Sequence, residues 1–299
     1  MDQDWKQLPG DTGDEHVFCI GDVHGELASL DAALGRISDL PKHGPTRLIF
    51  LGDLIDRGPA PLECVQRAWQ AADHTGVDEV IVLPGNHELM LLGSLGGAPD
   101  EMSQSINEGI WLANGGMSAI KELEANGCDM SSREVILEEL QKALPEDFNE
   151  VMLSRSHVTQ GDMVFVHAGV HPHIDMDTFL AEDPFAHDNW AWIRGDFLHH
   201  EGGWDAERRR VIVHGHTPWE QDVGSAMKGA FSERNRAWRA GETMRIDSHF
   251  ETAEGADMVE SHRRINLDSG CGKATTTLPF AEFFDGNVRL HVVTPQEKG

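Results

Sequence analysis

Five short apolar runs, each ended by a cluster of polar residues, constrain the fold of this chain more than any other feature. The runs are HVFCI (16–20), RLIFL (47–51), EVIVL (79–83), MVFV (163–166) and RVIV (210–213). Their apolar character is continuous rather than alternating, which is typical of central strands buried on both faces. The sequence therefore predicts sheet strands that are covered by other elements on both sides.

Helical periodicity separates these runs. The apolar residues with helical spacing are Leu27, Leu30, Leu34 and Ile37 after the first run, and Leu62, Val65, Trp69 and Ala72 after the second. Strands that alternate with helices indicate a layered α/β fold. A capping-box pattern from Ser131 to Glu134 begins a further helix. Near the C-terminus, RINLDSG, FAEFF and NVRLHVV predict strands of a more antiparallel sheet.

The chain has 299 residues, 39% of them hydrophobic, which suffices for one large domain with a substantial core. We expect a single domain over residues 1–299. Residues 220–262 differ from the rest because they are polar, contain four glycines and show little periodicity. This stretch predicts a surface insertion within the domain.

Charge and composition exclude several classes of partner. The chain carries 51 Asp and Glu against 24 Lys and Arg, a net charge of −27, which repels nucleic acid and anionic membranes. No segment approaches the roughly 20 apolar residues of a spanning helix. The four cysteines are far apart and lack the spacing of zinc or disulfide motifs. We therefore expect a cytoplasmic protein with reduced thiols and no membrane or nucleic-acid partner.

Each apolar run ends in a motif that carries chemistry. The motifs are GDVHG (21–25), GDLIDRG (52–58), GNHE (85–88), HAG (167–169) and HGHT (214–217). The carboxyl ends of strands in α/β sheets form the ligand crevice, so these motifs are expected to converge at one edge. One such His or Asp alone is more often a cap or turn residue, but five motifs in order exceed what chance explains.

The motifs deliver a mixed set of oxygen and nitrogen donors, suited to Mn, Fe or Zn. They are Asp22, His24, Asp53, Asn86, His167 and His216. The set exceeds the needs of one ion. Because a carboxylate can bridge two cations, whose charge lowers the pKa of a shared water, the inventory predicts two metals.

The order and spacing of GDVHG, GDLIDRG and GNHE resemble the phosphoprotein phosphatase family of calcineurin-like metallophosphoesterases. WLANGG (111–116), VHAG, WIRGDFL (192–198), VHGHTP and INLDSG are more similar to its bacterial and phage branch, typified by phage lambda protein phosphatase. The resemblance covers residues 16 to the end, apart from the insertion. It implies the calcineurin-like metallophosphoesterase fold, an α/β (α+β) sandwich of two mixed β-sheets flanked by helices.

The resemblance also implies a ligand set. Asp22 and His24 would bind the first metal, and Asp53 would bridge both. The second metal would be completed by Asn86, His167 and His216. Two divalent ions are implied, with Mn²⁺ expected first and Fe or Zn as alternatives.

Four further residues receive roles from the resemblance. His87 would act as general acid for the leaving oxygen, and Asp56 would hydrogen-bond that imidazole and favour its protonated form. Arg57 and Arg194 would grip the phosphoryl oxygens, a task suited to planar guanidinium, and Asn86 would also contact the substrate.

Two polar neighbours of these residues are expected to support the site. A supporting role for His214 is favoured over metal ligation, and Glu88 is expected to support its loop, although direct substrate contact stays open.

The leading hypothesis is a metal-dependent phosphomonoesterase acting on phosphoserine and phosphothreonine proteins and small phosphate monoesters. A metal-bridging hydroxide would attack phosphorus in line. The alternative is a dinucleoside polyphosphate hydrolase on the same fold. Such relatives usually lack the Asp of DRG and read GNHD, whereas this chain has Asp56 and Glu88. A non-catalytic phosphopeptide-binding scaffold ranks last, because such a protein is expected to have lost a ligand or the acid.

Overall fold

The computed structural model describes residues 4–186, 188–219 and 262–295, and its strands form two sheets. The strands are β1 Lys6–Gln7, β2 His16–Ile20, β3 Thr46–Phe50, β4 Glu79–Val82, β5 His157–Gln160, β6 Met163–Val166, β7 Val211–His214, β8 Arg264–Asn266, β9 Leu278–Phe284 and β10 Asn287–Val293. The first sheet has the order β1-β10-β9-β2-β3-β4 and the second β5-β6-β7-β8.

Helices cover the outer faces of these sheets and fill the connections. They are α1 Leu27–Asp39, α2 Pro61–Trp69, α3 Ala71–Thr75, α4 Asn86–Leu92, α5 Glu101–Trp111, α6 Met117–Ala125, α7 Arg133–Ala143, α8 Phe148–Ser154, α9 Met176–Leu180 and α10 Gly195–Leu198. Two kinked turns, Gly93–Gly97 and Leu112–Gly116, follow α4 and α5, and the backbone leaves the helical conformation at Gly96 and Gly115. Within the described ranges, every helix is too short or too polar to cross a bilayer.

Parallel pairing brings the ends of the key strands together. In the first sheet Ile20 lies opposite Phe50, and Phe50 lies opposite Val82. The second sheet pairs β6, β7 and β8 in parallel. Polar loops that follow β2, β3 and β4 therefore leave one edge of the first sheet together, as do those that follow β6, β7 and β8 in the second.

Alternating side chains of the central strands build two different cores, which explains their continuous apolar sequence. Val17 and Cys19 of β2 pack into a core shared by the two sheets, whereas Phe18 and Ile20 belong to the core on the helical side. Phe165 of the second sheet meets Phe283 of the first at a ring-centroid distance of 5.4 Å. The expectation of strands buried on both faces is confirmed for β2, β6 and β7, and for β3 apart from Arg47. It was wrong for β4, which lies at the edge of the first sheet with Glu79 exposed.

The predicted fold class, two mixed sheets flanked by helices, is confirmed, with corrections in detail. The five motif-bearing strands do not share one sheet edge, because they divide between two sheets whose edges meet. The C-terminal strands are antiparallel only in β9 and β10, which join the first sheet, while β8 is parallel to β7. The helical pattern after GDLIDRG is split at Gln70 into α2 and α3.

Two expectations concern segment boundaries. The N-cap of α7 is Ser132, whose hydroxyl accepts from the backbone N–H of Val135, so the Ser131 prediction was wrong by one residue. Ser131 instead donates its backbone N–H to Asp129. The predicted insertion at 220–262 lies outside the described residues, apart from His262, and stays a prediction.

Candidate metal centre and active site

Close backbone approach shapes the loops that carry the site. A Cβ added to Gly85 would collide with Oδ1 of Asp53, and a Cβ added to Gly215 would collide with Oδ1 of Asp22. A side chain at either glycine would displace the carboxylate that it meets. The glycines of GNHE and HGHT therefore allow backbone to pass directly beside two of the predicted ligands.

Left-handed backbone is concentrated at the site. Five site residues other than glycine adopt positive φ, namely His24 (46°), Asp53 (51°), Asp56 (73°), Arg57 (65°) and His216 (64°). Each such residue costs about 1–3 kcal/mol, and such strain persists only where surrounding contacts impose it. The backbone conformation that orients these side chains therefore lowers the stability of the fold.

Glu88 makes some of the contacts that hold this strained backbone in place. Its carboxylate is fully buried and accepts four backbone N–H groups, from Asp53 (2.8 Å), Leu54 (2.8 Å), Ile55 (3.2 Å) and Gly85 (2.9 Å). One side chain at the start of α4 therefore ties the loop after β3 to the loop after β4. The expectation that Glu88 supports its loop agrees with these contacts.

A first group of donor atoms, from His24, Asp53 and His87, lies within 4.8 Å of one another. Nε2 of His24 is 3.4 Å from Oδ2 of Asp53, while Nδ1 of His24 donates to the carbonyl of Ile55 (3.0 Å). That hydrogen bond leaves a lone pair on Nε2. Asp22, predicted for the first metal, lies beside this group, with Oδ2 3.8 Å from Nε2 of His24.

A second group contains Asp53, His167 and His216. Nε2 of His167 is 3.4 Å from Oδ1 of Asp53, and its Nδ1 donates to the carbonyl of Leu51 (2.8 Å). Oδ1 of Asn86 lies 3.2 Å from Nε2 of His167 and 2.9 Å from Nδ1 of His216. The two oxygens of Asp53 thus face different groups, as a bridging carboxylate would.

The donor set fits a pair of divalent ions. Nε2 of His216 is buried and has no hydrogen-bond partner among the described residues, which is costly unless a ligand satisfies it. His24 and His167 each hold Nδ1 against a backbone carbonyl and turn Nε2 towards Asp53, which is the orientation that metal-ligating histidines adopt. Imidazole with carboxylate and amide oxygen suits Mn, Fe or Zn, without selecting one.

Burial and mutual charge shift the protonation of these groups. Burial lowers the pKa of His24 and of His216, and a neighbouring histidine adds to the effect in each case. Burial also opposes the charged form of His167, but the charge and hydrogen bond of Asp53 outweigh it and raise that pKa to about 9. Burial, with the charge of Asp268, raises the pKa of Asp22. These carboxylates and imidazoles form one coupled system.

His87, Asp56 and Arg57 form a connected polar chain. Nδ1 of His87 donates to Oδ2 of Asp56 (2.7 Å), and NH2 of Arg57 donates to Nε2 of His87 (2.9 Å). Arg57 also contacts Nε2 of His24. Burial raises the pKa of Asp56, although the hydrogen bonds from His87 and Trp111 oppose that rise. The imidazole of His87 is therefore held by a buried carboxylate on one side and faces Arg57 on the other.

Trp111 is a further contributor, for whose side chain the sequence pattern predicted no role. Its side chain is buried, and Nε1–H donates to Oδ1 of Asp56 (2.9 Å). In the same WLANGG motif, the carbonyl of Gly115 accepts the backbone N–H of Arg57 (3.3 Å). This motif thus supports both residues of the DR pair.

Asp268 was also missed. It follows β8, is buried, and accepts the backbone N–H of Gly270 (2.7 Å). Burial raises its pKa to about 6 against the hydrogen bond of Gly270, and the charge of Asp53 contributes to the rise. A signal existed in the sequence, since Asp268 ends a strand just as Asp22 and Asp53 do.

Arg194 and His214 occupy different surroundings. Arg194 is at the rim, where Nε donates to Oγ1 of Thr217 (3.3 Å) and NH2 to the carbonyl of His216 (3.4 Å). His214 is buried with its ring edge-on to Phe197, 4.9 Å between centroids, and belongs to neither donor group. The structure thus brings the predicted ligand and catalytic residues to one centre and places His214 outside both donor groups, so its supporting role stays a prediction.

Comparison with known proteins finds similarity to enzymes that hydrolyse phosphate compounds. The sequence model of the family described as calcineurin-like phosphoesterase matches residues 16–259. The symmetrical bis(5'-nucleosyl)-tetraphosphatase of Paracidovorax citrulli is 30% identical over 185 residues, which cover 61% of this chain and 53% of that protein. The serine/threonine-protein phosphatase 2 of Escherichia coli is 37% identical over 101 residues, covering 34% of this chain and 38% of that protein.

The chain thus matches about half, or less, of the length of these relatives. Among solved structures, a cold-active protein-tyrosine phosphatase of a psychrophilic Shewanella species aligns over 97% of this chain and 83% of its own. The sequence identity is 17% and the TM-score 0.46. A likeness of this strength carries no argument about substrate.

Proposed function

Because the chain belongs to the calcineurin-like phosphoesterase family, we propose that it hydrolyses phosphate esters at the centre around Asp53. We assign ligation of two divalent ions to Asp22, His24 and Asp53 together with Asn86, His167 and His216. When bound, such ions supply Lewis acidity and lower the pKa of bound water. Mn²⁺ is our first candidate for the metal.

The observation that carries this proposal is the contact of His87 with Asp56, 2.7 Å apart and beside the shared carboxylate of Asp53. Asp56 holds the Nδ1 proton of His87, so a second proton at Nε2 gives an imidazolium that the buried carboxylate stabilises. Nε2 faces the metal groups. In this structure Nε2 accepts from Arg57. The proposed acid role therefore requires Arg57 to turn to the substrate phosphate, which leaves Nε2 to carry a proton for the leaving oxygen in general acid catalysis.

Arg57 and Arg194 complete the proposed site as phosphate ligands. Arg57 reaches His24 and His87, and Arg194 reaches the backbone of His216, so the two guanidinium groups border different donor groups. Guanidinium presents planar paired donors that match phosphoryl oxygens. In a protein of net charge −27, they give the local positive charge that a phosphate ester needs.

Two substrate classes fit this chemistry. Phosphoserine and phosphothreonine proteins, with small phosphate monoesters, are supported by the intact Asp56–His87 contact and by similarity to the E. coli serine/threonine-protein phosphatase 2. We also propose kinship with the bacterial and phage branch of the phosphoprotein phosphatases, supported by the motifs WLANGG, WIRGDFL and VHGHTP.

Dinucleoside polyphosphates are the second class, and they have at least equal support. The match to the P. citrulli symmetrical tetraphosphatase extends over more of the chain, 61% against 34% for the E. coli phosphatase. A symmetrical tetraphosphatase of Chromohalobacter salexigens is 38% identical over 91 residues. Hydrolysis of a phosphoanhydride would use the same acid and the same phosphate ligands.

The test compares initial rates on a phosphoserine peptide and on diadenosine tetraphosphate, with manganese returned to chelator-treated protein. Faster peptide hydrolysis supports the phosphoprotein class, and faster dinucleotide cleavage supports the nucleotide class. His87→Asn serves as the matched inactive control. Turnover of neither substrate, with retained phosphopeptide binding, would replace both by the non-catalytic scaffold.

A further inference from the structure

A cleft of about 300 Å³ opens beside the proposed phosphate site. One wall is formed by Leu89 and Met90, which follow His87 on α4, and by Ile110 of α5. The opposite wall comes from the segment before α10 and includes Phe185 and Trp192. Its walls are thus apolar and carry two aromatic rings.

The cleft is continuous with the proposed reaction centre. Arg194 lines it and also contacts the backbone of His216. The ring of Trp192 lies edge-on to that of His216, with 6.2 Å between centroids. A phosphate held by Arg194 would therefore direct the group attached to it into this cleft.

Apart from Arg194, the polar side chains that line the cleft, Asn107 and Asp188, offer hydrogen-bond acceptors. Nδ2 of Asn107 donates to the carbonyl of Ser103 (2.8 Å), which leaves Oδ1 as its acceptor. Asp188 adds an exposed carboxylate. Acceptors beside apolar and aromatic walls suit a planar ligand that carries an N–H₂ group. The negative charge of Asp188 disfavours a second phosphate or an acidic side chain at the same place.

We propose that this cleft binds the amine-bearing heterocyclic base of a nucleoside phosphate whose phosphate contacts Arg194. The volume is at the lower end for ligand pockets and accommodates one ring system with its sugar rather than a run of peptide side chains. The base lies against Phe185 and Trp192, and its amine donates towards Asp188. This inference rests on the proposed phosphoester hydrolysis and specifies a nucleotide as its substrate.

The test measures inhibition of p-nitrophenyl phosphate hydrolysis by adenosine 5'-monophosphate and by ribose 5-phosphate, which share the phosphate but not the base. Since base–aromatic stacking contributes 1–3 kcal/mol in other proteins, the inhibition constant of the nucleotide is expected to be about tenfold or more lower. Phe185→Ala should bring the two constants close together. Ile106→Ala, which removes an exposed apolar residue of α5 outside the cleft, should leave their ratio unchanged.

A second variant tests the amine without altering the aromatic wall. Asp188→Gly accommodates the φ of 60° and removes the carboxylate. It should weaken inhibition by adenosine monophosphate but not by inosine monophosphate, which carries a carbonyl in place of the amine. Equal inhibition by the nucleotide and the sugar phosphate in the wild type would overturn the proposal. The proposal would also be overturned if the ratio of the two inhibition constants were the same in Phe185→Ala as in the wild type.

The two proposals fail in different ways. Absence of turnover of both p-nitrophenyl phosphate and diadenosine tetraphosphate in the manganese-loaded wild type would contradict the hydrolase. Calorimetric titration with adenosine 5'-monophosphate and ribose 5-phosphate would then decide whether the cleft binds the base. Stronger competition by a phosphoserine peptide with an aromatic neighbour than by the nucleotide, lost in Phe185→Ala, would assign the cleft to peptide and refute base binding.

Discussion

At the residue scale, His87 carries the proposed proton transfer. His87→Asn removes the acid, and kcat is expected to fall by about 10²–10⁴. Metal content, measured by atomic emission, should stay near the wild-type value, because Asp53 keeps its contacts with His24 and His167. An unchanged rate would refute the acid role, and loss of metal would indicate that His87 is instead a ligand.

Trp111 is expected to act through Asp56. Trp111→Phe keeps a ring in the core but removes the N–H that donates to Asp56. Hydrogen bonds to charged groups contribute about 1.5–3 kcal/mol, so kcat should fall by roughly tenfold or more, less than in His87→Asn. Trp190→Phe is the matched control, since Trp190 is also buried but donates to the carbonyl of Glu182. If kcat fell equally in Trp111→Phe and Trp190→Phe, the cause would be general destabilisation of the fold rather than the contact with Asp56.

Sequence indicated the residue types of the site well and their supporting contacts poorly. The donors Asp22, Asp53 and His167 stand within three residues of the ends of apolar strands, so their placement follows from strand direction. Asp268 ends a strand too, but its DSG context is equally typical of a turn. The contact of Trp111 with Asp56 joins residues 55 positions apart, and no local pattern encodes that contact.

At the element scale, Glu282 connects three strands of the first sheet. This buried carboxylate of β9 contacts His16 of β2 (3.0 Å), and His291 (2.7 Å) and Arg289 (2.6 Å) of β10. Burial opposes its charge, but hydrogen bonds from these partners hold the pKa of Glu282 well below its usual range. Glu282→Gln should lower the free energy of unfolding by about 3 kcal/mol at neutral pH. The reason is that the buried side chains of His16 and His291 would no longer face a negatively charged carboxylate.

The pH dependence of that loss has a definite sign. A carboxylate with a depressed folded-state pKa stabilises the fold above its unfolded pKa of about 4.3 and loses this contribution as the pH falls further. Urea denaturation at pH 7 and below pH 4 should therefore show the difference between wild type and Glu282→Gln narrowing in acid. Glu79→Gln, at an exposed ion pair with Arg47, should cost less than about 1 kcal/mol. If the difference in unfolding free energy between wild type and Glu282→Gln did not change with pH, the stabilising role of the ionised Glu282 carboxylate would be contradicted.

Elements were predictable where burial determines them. β2 and β6 have the bounds of their apolar runs, because both faces of each strand are covered. β5, His157–Gln160, was not predicted, since an edge strand that is only partly buried has no continuous apolar pattern. The shift of the α7 cap from Ser131 to Ser132 shows the limit of a short motif, because two adjacent serines offer the same hydroxyl.

At the scale of the whole molecule, the site joins two sheets, whereas the strand pattern alone places all five motifs at one sheet edge. Asp22, Asp53 and Asn86 follow strands of the first sheet, whereas His167 and His216 follow strands of the second. Periodicity identifies strands but contains no information on which sheet each one enters, so this division was not accessible from sequence. Ions held between these residues would link the carboxyl ends of both sheets.

That arrangement predicts that metal binding stabilises the entire fold. A ligand that binds only the folded state, at 100 times its dissociation constant, adds about 2.7 kcal/mol to the free energy of unfolding. Calorimetric melting of chelator-treated wild type should therefore show a Tm that rises with added manganese. Asp53→Asn removes the charge shared by both donor groups, so bound metal should fall below two ions per chain and the rise in Tm should shrink. Asp39→Asn, at the exposed end of α1, should behave as wild type. Full occupancy with two ions in Asp53→Asn would count against a bridging carboxylate, because neither ion would then depend on the charge between the sheets.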